Sequence, residues 1–284
     1  MQRTGSRASL ASQAAGTGTG RLPESASRGG SGWRTDDVHQ ARREAPFHEA
    51  ALAVSAVVRR IGIRTPRLLD QGILTDGRAW LAYAWYELTE FGPAVPSLVE
   101  RAGALLAQLH AHTTAATPAG LATTSETLMD DLRKRADHLA GIAPRSGRRV
   151  RRLIPLFVEV PQTNRCVLHG DFGWRNLGLD LDGQIWLLDW DTATWGHPIV
   201  DLGKLIDREF AEDHVRDQFL RGYRQHHPVI SYPWPAYVDT VRLWVAAGLL
   251  NYGRLRSVAG LTRHGLRILD EIESLARRRC GSAG

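Results

Sequence analysis

Regular spacing of apolar residues first appears near residue 46. Large and small apolar side chains recur every three or four positions there: Phe47, Ala51, Val54, Val58 and Ile61. Pro46 stands near the start of this segment and Gly62 follows its end. The pattern predicts a helix with one buried face, with proline in the first turn and glycine after the last.

Strand-like segments follow the predicted helix. Residues 67–74 and 79–85 flank Asp76-Gly77, a turn signal that predicts a β-hairpin. Residues 86–95 hold glycine and proline, as a connector between two lobes would. Helices are then predicted from capping boxes at Ser97 with Glu100 and at Thr123 with Glu126, and over residues 234–250 and 261–276.

The segment from Cys166 to Leu202 departs from this helical pattern and concentrates polar residues. It contains His169-Gly170-Asp171, with Asn176 five residues after the aspartate. Asp182-Gly183 predicts a turn, and the apolar strand after it ends at Asp189. Asp171-Phe172-Gly173 spells the metal-binding tripeptide of protein kinases, but its place in the first loop favours Asp189 as the metal-binding aspartate.

These residue types suit the transfer of a phosphoryl group. That reaction needs a group to orient the nucleophile and a cation to neutralise phosphate charge. Asp171 is a candidate base, and the side-chain oxygens of Asn176 and Asp189 are candidate ligands of Mg²⁺, which prefers oxygen.

The motifs resemble those of the aminoglycoside phosphotransferase and choline-kinase-like superfamily from about residue 95 onward. They are His169-x-Asp171 with Asn176, then Asp189, then Gly196-x-Pro198-x-x-Asp201-Leu202. The resemblance implies an ATP- and Mg²⁺-dependent kinase with Asp171 as base and with Asn176 and Asp189 on the metal. It implies that Asp201 braces the loop and that His169 is a structural anchor. Asp191 is either a contact to a second metal or a turn cap.

The order of elements, taken with this resemblance, predicts an α+β, protein-kinase-like bilobal fold. Residues 36–94 form a partial, truncated or degenerate N-terminal lobe of a helix plus a hairpin, with the hinge. Residues 95–284 form a mostly helical C-terminal lobe that holds the catalytic loop. Residues 1–35 are rich in Gly, Ser, Ala, Thr and Arg, which predicts disorder.

Nucleotide-binding residues are expected at the helix and the hinge. The resemblance implies a glutamate that pairs with a phosphate-binding lysine, and Glu49 fits better than Glu44. The adenine is expected at the hinge, at Ala84, Trp85 and Tyr86. Both lysines, Lys134 and Lys204, lie downstream of the N-terminal lobe, and no glycine-rich hairpin precedes the helix. Three explanations stay open: a truncated or frame-shifted gene model, a weak or inactive homologue, or an arginine such as Arg34 in place of the lysine.

Candidate substrate contacts follow the motif. Trp174 and Trp195 are either core residues or walls of a substrate cleft. Glu209, Glu212 and Asp213 fall at positions that share one helix face. This face is either solvated surface or a wall for a polycationic substrate.

Composition narrows the function classes. The net charge of +6 comes almost entirely from arginine, and no aromatic residues interleave with the basic runs, so nucleic-acid binding is not favoured. No apolar run reaches the ~20 residues of a membrane span. Two distant cysteines favour a reducing cytoplasm. We therefore predict a cytoplasmic kinase of a small-molecule hydroxyl, such as an antibiotic-resistance aminoglycoside kinase. The alternatives are a choline, homoserine or sugar kinase, or a catalytically silent kinase-fold binding protein.

Overall fold

The computed structural model describes residues 38–43, 45–74, 79–111, 121, 127–210, 212–226 and 234–281. The predicted disordered segment 1–35 lies outside these residues. The N-terminal part is a three-stranded antiparallel sheet with strand order β1-β3-β2. Its strands are β1 (Val38–Arg43), β2 (Leu68–Ile73) and β3 (Ala79–Ala84). The predicted hairpin is confirmed as β2 and β3, which pair antiparallel.

Strand β1 is a correction to the sequence analysis, which expected only a helix and a hairpin in this lobe. It pairs with β3 along its whole length, from Val38 opposite Ala84 to Arg43 opposite Ala79. Its residues include two arginines and a glutamine, which have no strong strand preference. The strand forms because β3 offers it a complete row of backbone partners, and a context of that kind overrides local propensity. No lysine stands in β1.

Helix α1 (Ala45–Arg60) confirms the helix predicted from the apolar spacing. Val54 and Val58 are fully buried, and Ala51 is nearly so. Gly62 adopts φ +76°, the left-handed conformation that glycine reaches without steric cost, and this ends the helix. The helix therefore packs one face into the main core beneath the sheet.

A short connection leads from β3 to the C-terminal lobe. Strand β4 (Thr89–Glu90) pairs with β6 (Leu177–Leu179), and β6 pairs with β7 (Ile185–Leu187). The hairpin predicted at Asp182-Gly183 is thus confirmed. Strand β5 (Cys166–Leu168) pairs with β8 (Thr194–Gly196), so both ends of the motif-bearing segment are joined.

The remaining elements are helices. They are α2 (Pro96–Ala111), α3 (Leu128–Ile142), α4 (Pro144–Leu153), α5 (Ile199–Arg208), α6 (Asp213–His226), α7 (Trp234–Leu255) and α8 (Ala259–Gly281). Helices α2 and α6 cross where Gly103 and Gly222 face the other helix's backbone, and a Cβ atom at either glycine would overlap a carbonyl oxygen. A second core lies among α3, α4, α7 and α8. None of the helices in the described ranges is long and apolar enough to span a membrane.

The capping boxes differ from those predicted. Helix α2 begins at Pro96, and the backbone N–H groups of Leu98 and Val99 bond the carbonyl of Val95. Ser97 is therefore inside the helix rather than at its cap. The box of α3 is formed by Thr127 and Asp130, four residues after the predicted pair. Thr123 and Glu126 lie outside the described residues.

Candidate active site

The loop that follows β5 is built around the buried carboxylate of Asp201. Its two oxygens accept the backbone N–H groups of His169 at 2.8 Å and Gly170 at 2.9 Å. His110 of α2 lies 3.1 Å from the same carboxylate and contacts the Tyr223 hydroxyl at 2.8 Å. Burial raises the pKa of Asp201, but hydrogen bonding and charge from His110 outweigh it and hold the pKa at about 2. Asp201 thus braces the loop as an ionised group, in the place predicted for it.

Gly170 makes the sharp turn that places Asp171 in the site. It adopts φ +79°, and a Cβ atom there would overlap the carbonyl oxygen of Thr192. The ammonium of Lys204, on α5, donates to the Gly170 carbonyl at 2.5 Å. A substitution at Gly170 would therefore strain the backbone and displace the neighbouring loop.

The carboxylate of Asp171 is held by two arginines. Arg175 donates to Oδ2 at 2.5 Å, and Arg208, the last residue of α5, donates to Oδ1. Burial raises the pKa of Asp171, but the charges of Arg208 and Arg175 outweigh it and keep the pKa below its usual value. Asp171 is therefore ionised, as a base must be before it accepts a proton.

The predicted metal ligands share a hydrogen-bonded frame with Asp171. The Asn176 amide nitrogen donates to the Asp171 carbonyl at 2.8 Å and to its carboxylate at 3.2 Å, so the amide oxygen remains as the group for a cation. The N–H of Leu188 bonds the Asn176 carbonyl at 2.9 Å, and the Leu188 carbonyl lies 2.9 Å from His169 Nε2. Asp189 comes next with φ 61° and an exposed side chain.

This donor set fits Mg²⁺. One amide oxygen and one exposed carboxylate match an ion that takes oxygen ligands and completes its shell with water and phosphate. Within the described residues no group of three or more His, Cys, Asp or Glu side chains could hold a metal. A site of this kind binds the ion together with a phosphate-bearing substrate rather than in a cage of protein ligands.

His169 is an internal anchor. Its side chain is buried, and burial lowers the pKa of its imidazole although Asp201, Asp171 and Asp189 all act to raise it. Its Nδ1 accepts the Asp171 N–H at 3.2 Å, its Nε2 lies 2.9 Å from the Leu188 carbonyl, and its own N–H is held by Asp201. The structure thus brings the predicted catalytic, metal and bracing residues together. Asp191 is half-buried two residues after Asp189.

The predicted nucleotide-binding residues lie on α1 and at the hinge. Glu49 is part of α1, and its side chain lies outside the described parts of the structure. Ala84 ends β3, and its N–H bonds the Arg67 carbonyl at 2.8 Å. Trp85 is 46% exposed, and Tyr86 packs against Trp186 with 4.2 Å between ring centroids.

The two tryptophans proposed as cleft walls differ in their surroundings. Trp195 is only 7% exposed and belongs to the main core, which favours the core interpretation. Trp174 is half-buried and stacks on Phe91, with 5.3 Å between ring centroids. Its indole N–H is buried and meets no acceptor among the described residues.

The predicted common acidic face is not formed, because the chain is not one continuous helix there. Glu209 follows the last residue of α5, and Asp213 begins α6. Glu209 lies 3.0 Å from Arg208, and burial raises its pKa while the Arg208 charge acts to lower it. Glu212 and Asp213 are exposed. Glu209 therefore belongs to the arginine cluster beside Asp171, and Glu212 and Asp213 lie on the surface.

Sequence reasoning missed Arg175, Arg208 and Lys204 as site residues. Arg175 lies inside the motif, four residues after Asp171, so its spacing could have drawn attention to it. Arg208 and Lys204 reach the loop from α5, which the sequence pattern does not place beside Asp171. Their contacts arise because Asp201, on the same helix, binds the loop backbone.

Comparisons with known proteins identify a family and a fold that this chain shares. Residues 33–233 match the model of the phosphotransferase enzyme family. A GDP complex of aminoglycoside 2'-phosphotransferase-IIIa is 14% identical, with 84% of this chain and 87% of that chain covered and a TM-score of 0.63.

Two further solved structures have the same fold. A complex of spectinomycin phosphotransferase with ADP and spectinomycin is 12% identical, with 84% and 86% coverage and a TM-score of 0.62. A choline kinase from Streptococcus pneumoniae is 13% identical, with 84% and 87% coverage and a TM-score of 0.58. No curated protein matches the sequence. The protein-kinase-like fold predicted from the motifs is confirmed.

Proposed function

We propose that this chain, which belongs to the phosphotransferase enzyme family, transfers a phosphoryl group from ATP to a hydroxyl group of a small molecule. One observation carries the proposal. Asp171, Asn176 and the residue before Asp189 are joined by hydrogen bonds on a frame that Asp201 and His169 hold from beneath. Positioning of this kind is the protein's main contribution to phosphoryl transfer.

The proposed reaction uses few groups. The acceptor oxygen attacks the γ-phosphorus, the bond from that phosphorus to the β–γ bridging oxygen breaks, and ADP leaves. The hydroxyl proton passes to the Asp171 carboxylate, whose low pKa keeps it ionised. Asn176 and Asp189 would hold Mg²⁺, which neutralises phosphate charge when bound.

The acceptor class is proposed from the similar structures. Those proteins are an aminoglycoside phosphotransferase, a spectinomycin phosphotransferase in complex with spectinomycin, and a choline kinase. We propose an aminoglycoside-like antibiotic or a related metabolite as acceptor, with choline, homoserine and sugars as the alternatives. Trp174, Glu212 and Asp213 are proposed contacts for it, because Trp174 follows Asp171 in the loop and the two acidic side chains are exposed.

A phosphorylation screen tests the function. The chain is incubated with Mg²⁺ and ATP labelled in the γ-phosphoryl group, together with aminoglycosides, macrolides, amino alcohols and sugars in separate reactions. Transfer of the label to one of these classes, with the Asp189→Asn variant inactive, is the expected result. Absence of transfer to every acceptor, by a chain that also fails to bind nucleotide, would contradict the proposal.

A catalytically silent binding protein is the second candidate. Both oxygens of Asp171 are engaged by arginines, and the sequence holds no lysine before Lys134. Calorimetric titration with Mg²⁺ and ATP separates the two candidates. Micromolar binding counts against the silent protein, whereas a folded chain that binds no nucleotide supports it.

A further inference from the structure

The two arginines that engage Asp171 obstruct the step proposed for it. Arg208 occupies Oδ1, and Arg175 occupies Oδ2 together with the amide of Asn176. An acceptor hydroxyl must donate its proton to one of these oxygens. Arg175 and Asn176 together occupy both lone pairs of Oδ2, so a hydroxyl reaches that oxygen only after one of them moves.

Arg208 is the fixed partner. Its side chain is 25% exposed, and it donates to the Phe172 carbonyl as well as to Asp171. Arg208 also lies 3.0 Å from the Glu209 carboxylate. Both side chains lie so close to Gly173 that a Cβ atom there would contact them. Arg208 is thus held by one backbone carbonyl and two carboxylates, so its displacement would disrupt the loop.

Arg175 is the movable partner. Its side chain is 63% exposed, and it belongs to a single 3₁₀ turn, residues 174–176, beside the catalytic carboxylate. An exposed ion pair of this kind contributes little stability and exchanges readily with solvent or another anion. Arg175 can therefore leave Asp171 without loss of the loop structure.

We infer that Arg175 is a catalytic residue that moves from Asp171 to the terminal phosphoryl group when ATP binds, which frees Asp171 for the acceptor hydroxyl. The inference rests on the proposed function. The attacking oxygen lies within a hydrogen bond of Asp171 and about 3–3.5 Å from phosphorus in a reactive geometry. An arginine that contacts the same carboxylate can therefore reach the equatorial phosphoryl oxygens, where it would stabilise the charge of the transition state.

The positions of the two lysines support an arginine in this role. The sequence contains two lysines: Lys134, on α3, and Lys204, whose ammonium is committed to the Gly170 carbonyl. A guanidinium group matches phosphate oxygens with two parallel donors and stays charged throughout the reaction. Arg175 is the exposed arginine that already touches the catalytic carboxylate.

The test compares two nucleotides that differ in the terminal phosphoryl group. Affinities for AMP-PNP and ADP, each with Mg²⁺, are measured by calorimetry for the wild-type chain and the Arg175→Ala variant. We expect the variant to bind AMP-PNP about tenfold or more weakly, as loss of a charged hydrogen bond does, and ADP within about twofold of wild type. Arg175→Lys should recover part of the loss.

The matched control is Arg133→Ala, which removes an exposed arginine that pairs with a carboxylate three residues away on α3. It should leave both affinities unchanged. Equal losses of AMP-PNP and ADP affinity in Arg175→Ala, or no loss of either, would overturn the inference while leaving the proposed function intact. A wild-type chain that binds neither nucleotide would overturn both.

Discussion

The Asp201 carboxylate accepts the backbone N–H of His169 at 2.8 Å across 32 residues of sequence. This contact joins α5 to the loop that carries Asp171, and the adjacent N–H of Gly170 donates a second hydrogen bond to the same carboxylate. Because the carboxylate is buried and ionised, its negative charge strengthens each hydrogen bond that it accepts. The position of the candidate base thus depends on this buried contact between α5 and the loop.

Replacement of Asp201 should destabilise the whole fold. Asp201→Ala leaves two buried N–H groups without an acceptor and removes the partner of His110, so we expect a loss of about 3–5 kcal/mol in unfolding free energy. Urea unfolding followed by circular dichroism measures it. Asp137→Ala, which removes a 66% exposed carboxylate paired with Arg151, is the control and should be nearly neutral. Equal stability of the two variants would refute the bracing role.

Stability should fall in acid in two steps. Burial lowers the folded-state pKa of His169 below 6.5, so the unfolded chain binds this proton first and stability is lost as the pH falls below that value. Asp201 has a folded pKa of about 2 against 3.8, so its contribution is present above pH 3.8 and is lost as the pH falls toward 2. Urea unfolding at a series of pH values measures both steps. The His169→Gln variant should lack the first step. If the unfolding free energy of this variant still fell with the wild-type slope between pH 6.5 and 5, the assignment of that step to His169 would be wrong.

Asp189 should govern metal binding. Replacement by asparagine removes the one carboxylate proposed as a ligand. Even mutation of residues that only orient a ligand commonly lowers metal affinity 10- to 100-fold. We expect Asp189→Asn to weaken Mn²⁺ binding in the presence of AMP-PNP by about tenfold or more, measured by electron paramagnetic resonance. Asp182→Asn, at the exposed turn of the same hairpin, should not change it. Equal Mn²⁺ affinity in the two variants would exclude Asp189 as a ligand.

The sequence predicted the elements and residues that depend on short segments of chain. The helix before Gly62, the two hairpins and the loop with Asp171 and Asn176 each require only local spacing or a turn dipeptide. The motif was recognisable because Asp171 and Asn176 stand five positions apart and precede Asp189. Local spacing and turn dipeptides determine the conformation of a short segment without distant partners, and the structure forms these segments as expected.

Features that depend on distant partners were not predictable. Strand β1 exists because β3 offers it a hydrogen-bonding edge, and Arg208 reaches Asp171 only because Asp201 draws α5 against the loop. Glu209 matches the helical spacing of Glu212 and Asp213, but a break between α5 and α6 separates it from them. Spacing alone does not reveal where a helix ends when no glycine or proline marks the boundary.

The rate of phosphoryl transfer in the Asp171→Ala variant tests the central claim most directly. ADP formation is measured at saturating ATP and Mg²⁺ with the acceptor found by the screen, and AMP-PNP affinity is measured on the same protein. Loss of a positioned base should lower kcat by about 100-fold or more, while AMP-PNP affinity stays within a few-fold of wild type. An unchanged kcat would contradict the assignment of Asp171 as the base and, with it, the proposed mechanism.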